Sequence, residues 1–412
     1  MTDLHAATRI APSQAWASPQ PAPRRVLIFH DSPDFGGHEK AFLTWLPAVL
    51  ASPLLAELSI SLPRENRVFA EALRRVGGDR LRLFPSPFAK QRGEPYRAPL
   101  RLLYRRHVQA LLRRQRPDVV LLLQGRIENA LVPLLATPRG IDLVSYLPMA
   151  HALREAAPGR NVAGVGDLVR RPYYARPRFI VPSQAVARQV REAGGRGTIH
   201  VVRNAVSVVA DRPDQRAARR LMKLPEEGKI ALFIGRFDAH QKGLDLLVQA
   251  ISQGSGRLGG WHFVFVGDGP ARPMIDDLCR GLRPPATAQS FAWTDRPQSM
   301  MAAADLLLLP SRFEGVPLAM LEAQALGLPI LASDIDVYRE YLPEANRFDF
   351  RRADEFPARL QSAVTEPALN AYRQHALAQQ QDASIERSAC AFEAALLHPA
   401  SDDCHQDRAV SS

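Results

Sequence analysis

The sequence predicts an α/β fold made of two Rossmann-like domains, each with a doubly wound parallel sheet. The first observation is its length of 412 residues, too long for one ordinary core and usual for two domains. The second is a composition of 46% hydrophobic and 23% charged residues, typical of a folded globular protein. The third is the alternation of short apolar segments with helical patterns, which recurs twice and indicates parallel sheets covered by helices.

The predicted strands fall into two series along the chain. Their near-continuous runs of Val, Ile, Leu and Phe are typical of strands that are buried on both faces. The first series is Arg25–His30, Glu57–Leu62, Asp118–Leu123, Asp142–Leu147 and Arg178–Val181. The second series is Ile199–Val202, Ile230–Ile234, His262–Val266, Asp305–Leu309 and Pro329–Ala332.

The domain boundary is predicted in the polar segment Asn204–Asp214, where the strand pattern is interrupted. The predicted order is an N-terminal domain over 24–206, a C-terminal domain over 207–375 and a helix over 376–397. This helix lies outside the alternating pattern, and such terminal helices commonly pack back on the other domain. Residues 1–23 and 398–412 are predicted to be disordered tails.

Charge is distributed unevenly between the two halves. Residues 1–209 hold 31 Lys and Arg against 15 Asp and Glu, a net charge of +16, whereas the remainder carries −5. A basic half can attract nucleic acid, anionic lipid or a phosphorylated substrate.

Three cysteines without metal-ligand spacing indicate reduced thiols and hence a cytoplasmic protein. No apolar run approaches the roughly 18 residues of a membrane-spanning helix.

The segment 305–322, DLLLLPSRFEGVPLAMLE, predicts a buried strand followed by a turn and a helix that ends at Gly327. Glu322 lies on this helix among apolar residues, so its carboxylate needs a partner. That partner is either an arginine or a pair of adjacent ligand hydroxyls. Glu314 lies in the turn where ligands bind in open α/β sheets, and the amides of Gly315 and Val316 offer an anion site near the helix start.

A second strand-to-turn segment, 233–244, reads FIGRFDAHQKGL and contains two cations, Arg236 and Lys242. Two cations at the ligand-binding edge suit a diphosphate, since arginine binds its oxygens in bidentate fashion and lysine acts as a point charge. A solvated loop is the alternative interpretation of this pair. The chain contains only five lysines, which weakens that alternative for Lys242.

These motifs together resemble the donor site of family 4 glycosyltransferases, also called glycosyltransferase group 1, which have the GT-B fold of two Rossmann-like domains facing across a cleft. The resemblance rests on Glu314 and Glu322 at their spacing, and on Gly235-Arg236 and Lys242-Gly243. Gly36-Gly37 after the first strand and His151 after the strand ending near Leu147 extend it into the N-terminal domain. The sequence departs from the family pattern at Ala205–Ser207 and at Gly315-Val316-Pro317.

The resemblance implies a role for each motif residue. Arg236 and Lys242 would bind the donor diphosphate, and Glu322 would bind the ribose hydroxyls. Glu314, Gly315 and Val316 would lie near the sugar. Gly36 and Gly37 would approach donor phosphate and acceptor, and His151 would contact donor sugar or acceptor. His151, Arg236, Lys242 and Glu314 are the expected catalytic residues. Charge on the protein would replace a metal ion, so neither a metal nor another cofactor is expected.

The implied function is retaining, metal-independent transfer of a sugar from a nucleotide diphosphate to a saccharide or lipid-linked acceptor, in envelope or exopolysaccharide biosynthesis. The alternative is a non-catalytic protein that binds sugar nucleotides within a polysaccharide assembly complex.

The basic segment 101–116 reads RLLYRRHVQALLRRQR. It is interpreted either as a domain helix with a solvated face or as a contact with anionic lipid at the inner face of the membrane. No nucleic-acid partner is expected, because no recognised module is present.

Two weaker motifs point to other chemistry. Asp334-Ile335-Asp336 resembles the Asp-x-Asp metal motif of a different glycosyltransferase fold, but its surroundings are those of a Rossmann turn. Gly267-x-Gly269 lacks the third glycine of a dinucleotide fingerprint, so oxidoreductase chemistry gains little support.

Overall fold

A computed structural model describes residues 22–152, 163–207, 214–294, 296–381 and 384–398. It contains two parallel sheets with helices on both faces, as the sequence predicts. Most of the predicted N-terminal tail, the C-terminal tail from residue 399 and much of the predicted domain boundary lie outside the described residues. None of the helices among these residues has the length and apolar character needed to cross a bilayer.

The N-terminal sheet has the strand order β3-β2-β1-β4-β5-β6-β7. Every pair in it is parallel, which places the carboxyl ends of all seven strands at one edge. The strands are β1 (Arg24–Phe29), β2 (Leu55–Pro63), β3 (Leu81–Ser86), β4 (Val119–Leu123), β5 (Asp142–Tyr146), β6 (Arg178–Val181) and β7 (Ile199–Val201). The predicted strand Ile199–Val202 is therefore the seventh strand of this sheet, and it lies inside the range 24–206 predicted for the N-terminal domain.

The C-terminal sheet has the order β10-β9-β8-β11-β12-β13, again with parallel pairs throughout. Its strands are β8 (Lys229–Ile234), β9 (Trp261–Val266), β10 (Thr287–Phe291), β11 (Leu306–Leu309), β12 (Ile330–Ser333) and β13 (Arg347–Phe348). The order reverses between β8 and β11, so this point is the topological switch at which open α/β sheets bind ligands.

Helices cover both sheets. Those of the N-terminal half are α1 (Gly37–Ala51), α2 (Arg67–Gly77), α3 (Glu94–Arg97), α4 (Leu102–Gln115), α5 (Leu131–Ala136), α6 (Ala163–Tyr174) and α7 (Gln184–Glu192). Those that follow are α8 (Gln215–Leu221), α9 (Leu244–Gly254), α10 (Arg272–Gly281), α11 (Pro297–Ala303), α12 (Leu318–Leu326), α13 (Asp336–Tyr341), α14 (Phe356–Ser362), α15 (Glu366–Gln381) and α16 (Ile385–Leu397).

The C-terminal part of the chain returns to the N-terminal domain. Two helices, α15 and α16, replace the single helix predicted over 376–397, because Ser384 begins a new helix by accepting a hydrogen bond from Arg387 N at 3.1 Å. Helix α16 packs on α1, with the ring of Phe392 stacked on Trp45 at a centroid distance of 4.3 Å. Helix α15 packs on α12 of the C-terminal domain. The two helices thus connect both domains.

Candidate donor and catalytic site

The predicted C-terminal site residues meet at the carboxyl edge of β8 and β11. Helix α12 begins at Leu318 with Pro317 at its N-cap, and Gly327 ends it in the left-handed conformation at φ +69°. Gly315 and Val316 therefore precede the N-cap and lie in the loop after β11. The loop after β8 carries Arg236 and Lys242, so the two strands at the switch point supply both motifs.

Lys242 and Glu314 form an ion pair with each other. Glu314 is only 6% exposed, and its Oε1 also accepts a hydrogen bond from Ser311 Oγ at 3.0 Å. Lys242 is half-buried, so its ammonium is held at the edge of the cleft by a carboxylate from the neighbouring loop. Glu314 consequently fixes the position of Lys242, a contact that the sequence pattern did not predict.

Arg236 is more exposed than Lys242. More than half of its side chain is accessible, and its Nη2 donates to Gln241 Oε1 at 2.8 Å. Its nearest carboxylate, Asp238 Oδ2, lies 3.6 Å from Nη2. The guanidinium is therefore available to a ligand in the cleft.

Glu322 lies on α12, where it is half-buried. Among the residues that the structure describes, no hydrogen bond or ion pair involves it, so the arginine partner left open by the sequence is not found. Burial raises the pKa of its carboxyl, while the charge of Lys40 from the N-terminal domain opposes this shift. A carboxyl in such a place is suited to accept hydrogen bonds from ligand hydroxyls.

The N-terminal domain contacts this edge directly. His151 Nε2 donates to the carbonyl oxygen of Glu314 at 2.8 Å, and its ring meets that of Phe313 edge-on at 5.6 Å. A side chain on Gly315 would overlap the carbonyl oxygen of Pro148, so glycine permits the close approach of the two backbones. The structure thus brings His151 beside Glu314, and its contact with donor sugar or acceptor stays a prediction.

The Gly36-Gly37 turn begins α1. Gly36 is the N-cap, and its N–H donates to Glu39 Oε2 at 2.8 Å in a capping interaction. Lys40 lies three residues after Gly37, and its ammonium is 5.2 Å from the ring centre of Trp293. Trp293 follows β10 and is 57% exposed. This cation–π contact joins the glycine loop to the C-terminal domain.

Sequence reasoning missed a buried cluster behind this loop, formed by His30, His38 and Glu39. Glu39 lies between the two rings, with Oε1 3.2 Å from His30 Nε2 and Oε2 3.0 Å from His38 Nδ1. Burial would raise the pKa of Glu39, but hydrogen bonds with the two histidines outweigh it and lower the pKa. Burial also lowers the pKa of His38. The three groups are close enough to hold a metal ion, and their contacts also anchor the start of α1.

Both carboxylates of the Asp-x-Asp segment pair with other side chains of the protein. Asp334 is paired with Arg339 at 2.9 Å and Arg347 at 2.6 Å, and Asp336 accepts from Gln189 Nε2 of the N-terminal domain at 2.6 Å. The two carboxylates are thus engaged by cationic and amide groups.

Residues 228–366 match the family model described as glycosyl transferases group 1. This part of the C-terminal domain is therefore similar to the group 1 glycosyltransferases. The Alpha-D-kanosaminyltransferase of Streptomyces kanamyceticus is 33% identical over 129 residues, which are 31% of this chain and 33% of that protein. The D-inositol 3-phosphate glycosyltransferase of Acidothermus cellulolyticus is 32% identical over 219 residues, 48% of each protein. The matches thus span a third to a half of the length of these relatives.

Solved structures share the fold over 90% of this chain. Anabaena HepE, crystallised with UDP and glucose, matches with a TM-score of 0.71 at 16% identity, over 90% of this chain and 99% of that one. WaaG, a glycosyltransferase involved in lipopolysaccharide biosynthesis, matches with a TM-score of 0.64 at 16% identity and the same coverage. The predicted GT-B fold and the group 1 resemblance are therefore confirmed.

Proposed function

We propose that the protein is a retaining glycosyltransferase that moves a sugar from a nucleotide diphosphate to a saccharide or lipid-linked acceptor in envelope or exopolysaccharide biosynthesis. The observation that carries the proposal is the convergence of Arg236, Lys242, Glu314 and Glu322 at one switch point, with His151 reaching it from the other domain. The match of residues 228–366 to the group 1 family model supports sugar transfer.

Positive charge at this edge of the sheet assists cleavage of the bond between the sugar and the nucleotide diphosphate. As the bond between the sugar and the diphosphate breaks, negative charge grows on the leaving oxygen, and Arg236 and Lys242 are placed to stabilise it. These cations take the role that a metal ion has in other transferases. The acceptor oxygen bonds to the anomeric carbon on the face that the phosphate leaves, and the leaving phosphate takes the acceptor proton.

No protein nucleophile is assigned in this scheme. Glu314 is buried and engaged by Lys242 and Ser311, so its carboxylate supports the lysine. Glu322 is assigned to the ribose hydroxyls of the donor. His151 is assigned to a contact with donor sugar or acceptor beside the Glu314 carbonyl.

Incubation with a panel of nucleotide sugars and saccharide acceptors tests catalysis. We expect transfer, or slow hydrolysis of one donor in the absence of an acceptor, and we expect it to persist when a chelator is present. Activity that disappears with the chelator and returns with Mn²⁺ would contradict metal independence. Donor binding without transfer or hydrolysis across the panel would favour the alternative of a non-catalytic sugar-nucleotide-binding component.

We also propose contact with an anionic lipid surface through a leucine patch formed by Tyr96, Leu100, Leu102 and Leu103. These side chains are 56%, 78%, 61% and 69% exposed, whereas Val108, Leu111 and Leu112 farther along α4 are buried. Exposed arginines at positions 97, 105 and 106 lie close to these residues in the chain. Exposed apolar side chains with arginines nearby match the apolar interior and the anionic headgroups of a lipid surface.

Sedimentation with vesicles of phosphatidylcholine and phosphatidylglycerol in equal parts tests this contact. We expect Leu102→Ser with Leu103→Ser to weaken vesicle binding by about tenfold, because two exposed apolar side chains lose their favourable transfer into lipid. Leu377→Ser, at a 60% exposed leucine of α15, is the control and should bind as the unchanged protein does. Equal sedimentation of the double variant and the control would contradict the proposal.

A further inference from the structure

Arg126 is a cation of the N-terminal domain that points at the donor loop. It follows β4 by three residues and so lies at the carboxyl edge of its sheet. Its Nη2 donates to Gln241 Oε1 of the C-terminal domain at 2.9 Å, and its guanidinium lies 5.8 Å from the ring centre of Phe313. The side chain therefore crosses from one domain to the loop that carries Arg236 and Lys242.

Gln241 Oε1 accepts hydrogen bonds from two arginines. Arg126 Nη2 lies 2.9 Å from this oxygen and Arg236 Nη2 lies 2.8 Å from it, so the two donor atoms are less than about 6 Å apart. The backbone of Gln241 is fixed on both sides, since its N–H donates to Asp238 Oδ1 at 2.8 Å and its carbonyl accepts from Arg312 N at 2.9 Å. Two cations from different domains thus converge on one anchored and mostly buried amide.

This arrangement leaves positive charge uncompensated. Within the described ranges, no carboxylate lies within ion-pairing distance of Arg126, and Arg236 has only Asp238 at 3.6 Å. A neutral amide oxygen accepts the hydrogen bonds but does not cancel two like charges that are this close. An anion with several oxygens would cancel them and offer both guanidiniums bidentate partners.

We propose that Arg126 binds the diphosphate of the donor together with Arg236 and Lys242. This inference rests on the proposed function, because it assigns a third cation to the same donor. The donor is then held by both domains, and its binding strengthens the contact between them. Arg126 also adds charge stabilisation to the leaving phosphate, and the basic N-terminal half contributes to donor chemistry as well as to acceptor binding.

Calorimetric titration of inorganic pyrophosphate and of UDP tests the assignment. We expect Arg126→Gln to weaken pyrophosphate binding by about tenfold or more, because a charge-assisted hydrogen bond is lost. Arg126→Lys keeps the charge without the planar fork and should give an intermediate affinity. Arg74→Gln makes the same change of charge on the exposed face of α2 and is the matched control, with unchanged affinity.

Gln241→Glu provides a second, independent test. A carboxylate at this position would neutralise the two guanidiniums from within the protein, so we expect a higher melting temperature together with weaker pyrophosphate binding. A higher melting temperature would show that the variant is folded. Its weaker pyrophosphate binding would then result from the pairing of Arg126 and Arg236 with the new carboxylate. Unchanged pyrophosphate affinity in Gln241→Glu would contradict the inference.

The outcomes separate this inference from the proposed function. If Arg236→Gln weakens pyrophosphate binding and Arg126→Gln does not, the inference is wrong and the donor site stands. If Arg126→Gln raises only the KM for the acceptor, Arg126 belongs to the acceptor site and the inference is also wrong. If neither Arg236→Gln nor Arg126→Gln changes binding of pyrophosphate or UDP, the donor site itself is wrongly placed.

Discussion

Lys242→Ala is expected to abolish sugar transfer and to destabilise the protein at the same time. The variant loses a cation of the donor site, for which we expect a fall in activity of about a hundredfold or more. It also leaves the carboxylate of Glu314 buried without its ammonium partner, which we expect to cost on the order of 3 kcal/mol of unfolding free energy. Denaturant unfolding and a sugar-transfer assay on the same preparation measure the two effects.

A double variant separates the two effects of Lys242. Replacing Lys242 by Met and Glu314 by Gln removes both charges, so stability should largely return while donor binding stays lost. Arg236→Gln is the complementary control, because this side chain is more than half exposed and its loss should weaken donor binding with little change in stability. Wild-type donor affinity in the double variant would contradict the diphosphate role of Lys242.

Glu322→Gln is expected to stabilise the free protein at neutral pH and to weaken nucleotide binding. Burial raises the pKa of this carboxyl above its ordinary value of 4.5, so the folded state binds the proton more tightly than the unfolded state. The stability that the proton confers is present at low pH and is lost as the pH rises through the folded-state pKa. The amide carries no such charge, so we expect unfolding free energy to rise by about 1 kcal/mol at neutral pH.

Unfolding experiments at pH 5 and pH 8, combined with UDP titration, measure these two effects of Glu322→Gln. The stability difference from the unchanged protein should grow from pH 5 to pH 8, and UDP should bind about tenfold more weakly because charged acceptors form the stronger hydrogen bonds. Glu65→Gln changes an exposed loop carboxylate and is the matched control. Lower stability at pH 8, or unchanged UDP affinity, would contradict the role given to Glu322.

The sequence predicted the central strands of both sheets and missed three of the four edge strands. Three strands were not predicted, namely β3, β10 and β13, and each lies at an edge of its sheet. Strand β10, TAQSF, is only half-buried, and β13 has two residues, so neither shows the continuous apolar run of a central strand. Edge strands are covered less completely, and their composition is correspondingly closer to that of loops.

The sequence also predicted which residues lie at the donor edge without predicting how they pair. Lys242 and Glu314 are 72 residues apart, and Arg126 and Gln241 are 115 apart, so only the fold brings each pair together. The only feature of the sequence that pointed to Arg126 was its position just after a buried strand. A single arginine among 48 gave no reason to select it until its side chain was seen to cross the cleft.

Titration calorimetry of UDP, GDP and ADP into the unchanged protein and into Arg236→Gln tests the central claim most directly. The claim is that the carboxyl edge of β8 and β11 holds the nucleoside diphosphate part of a sugar donor. It predicts that at least one of these nucleotides binds the unchanged protein and that Arg236→Gln binds it about tenfold more weakly without a change in melting temperature. Equal affinity in the two proteins, or no binding of any nucleoside diphosphate to the folded chain, would contradict it.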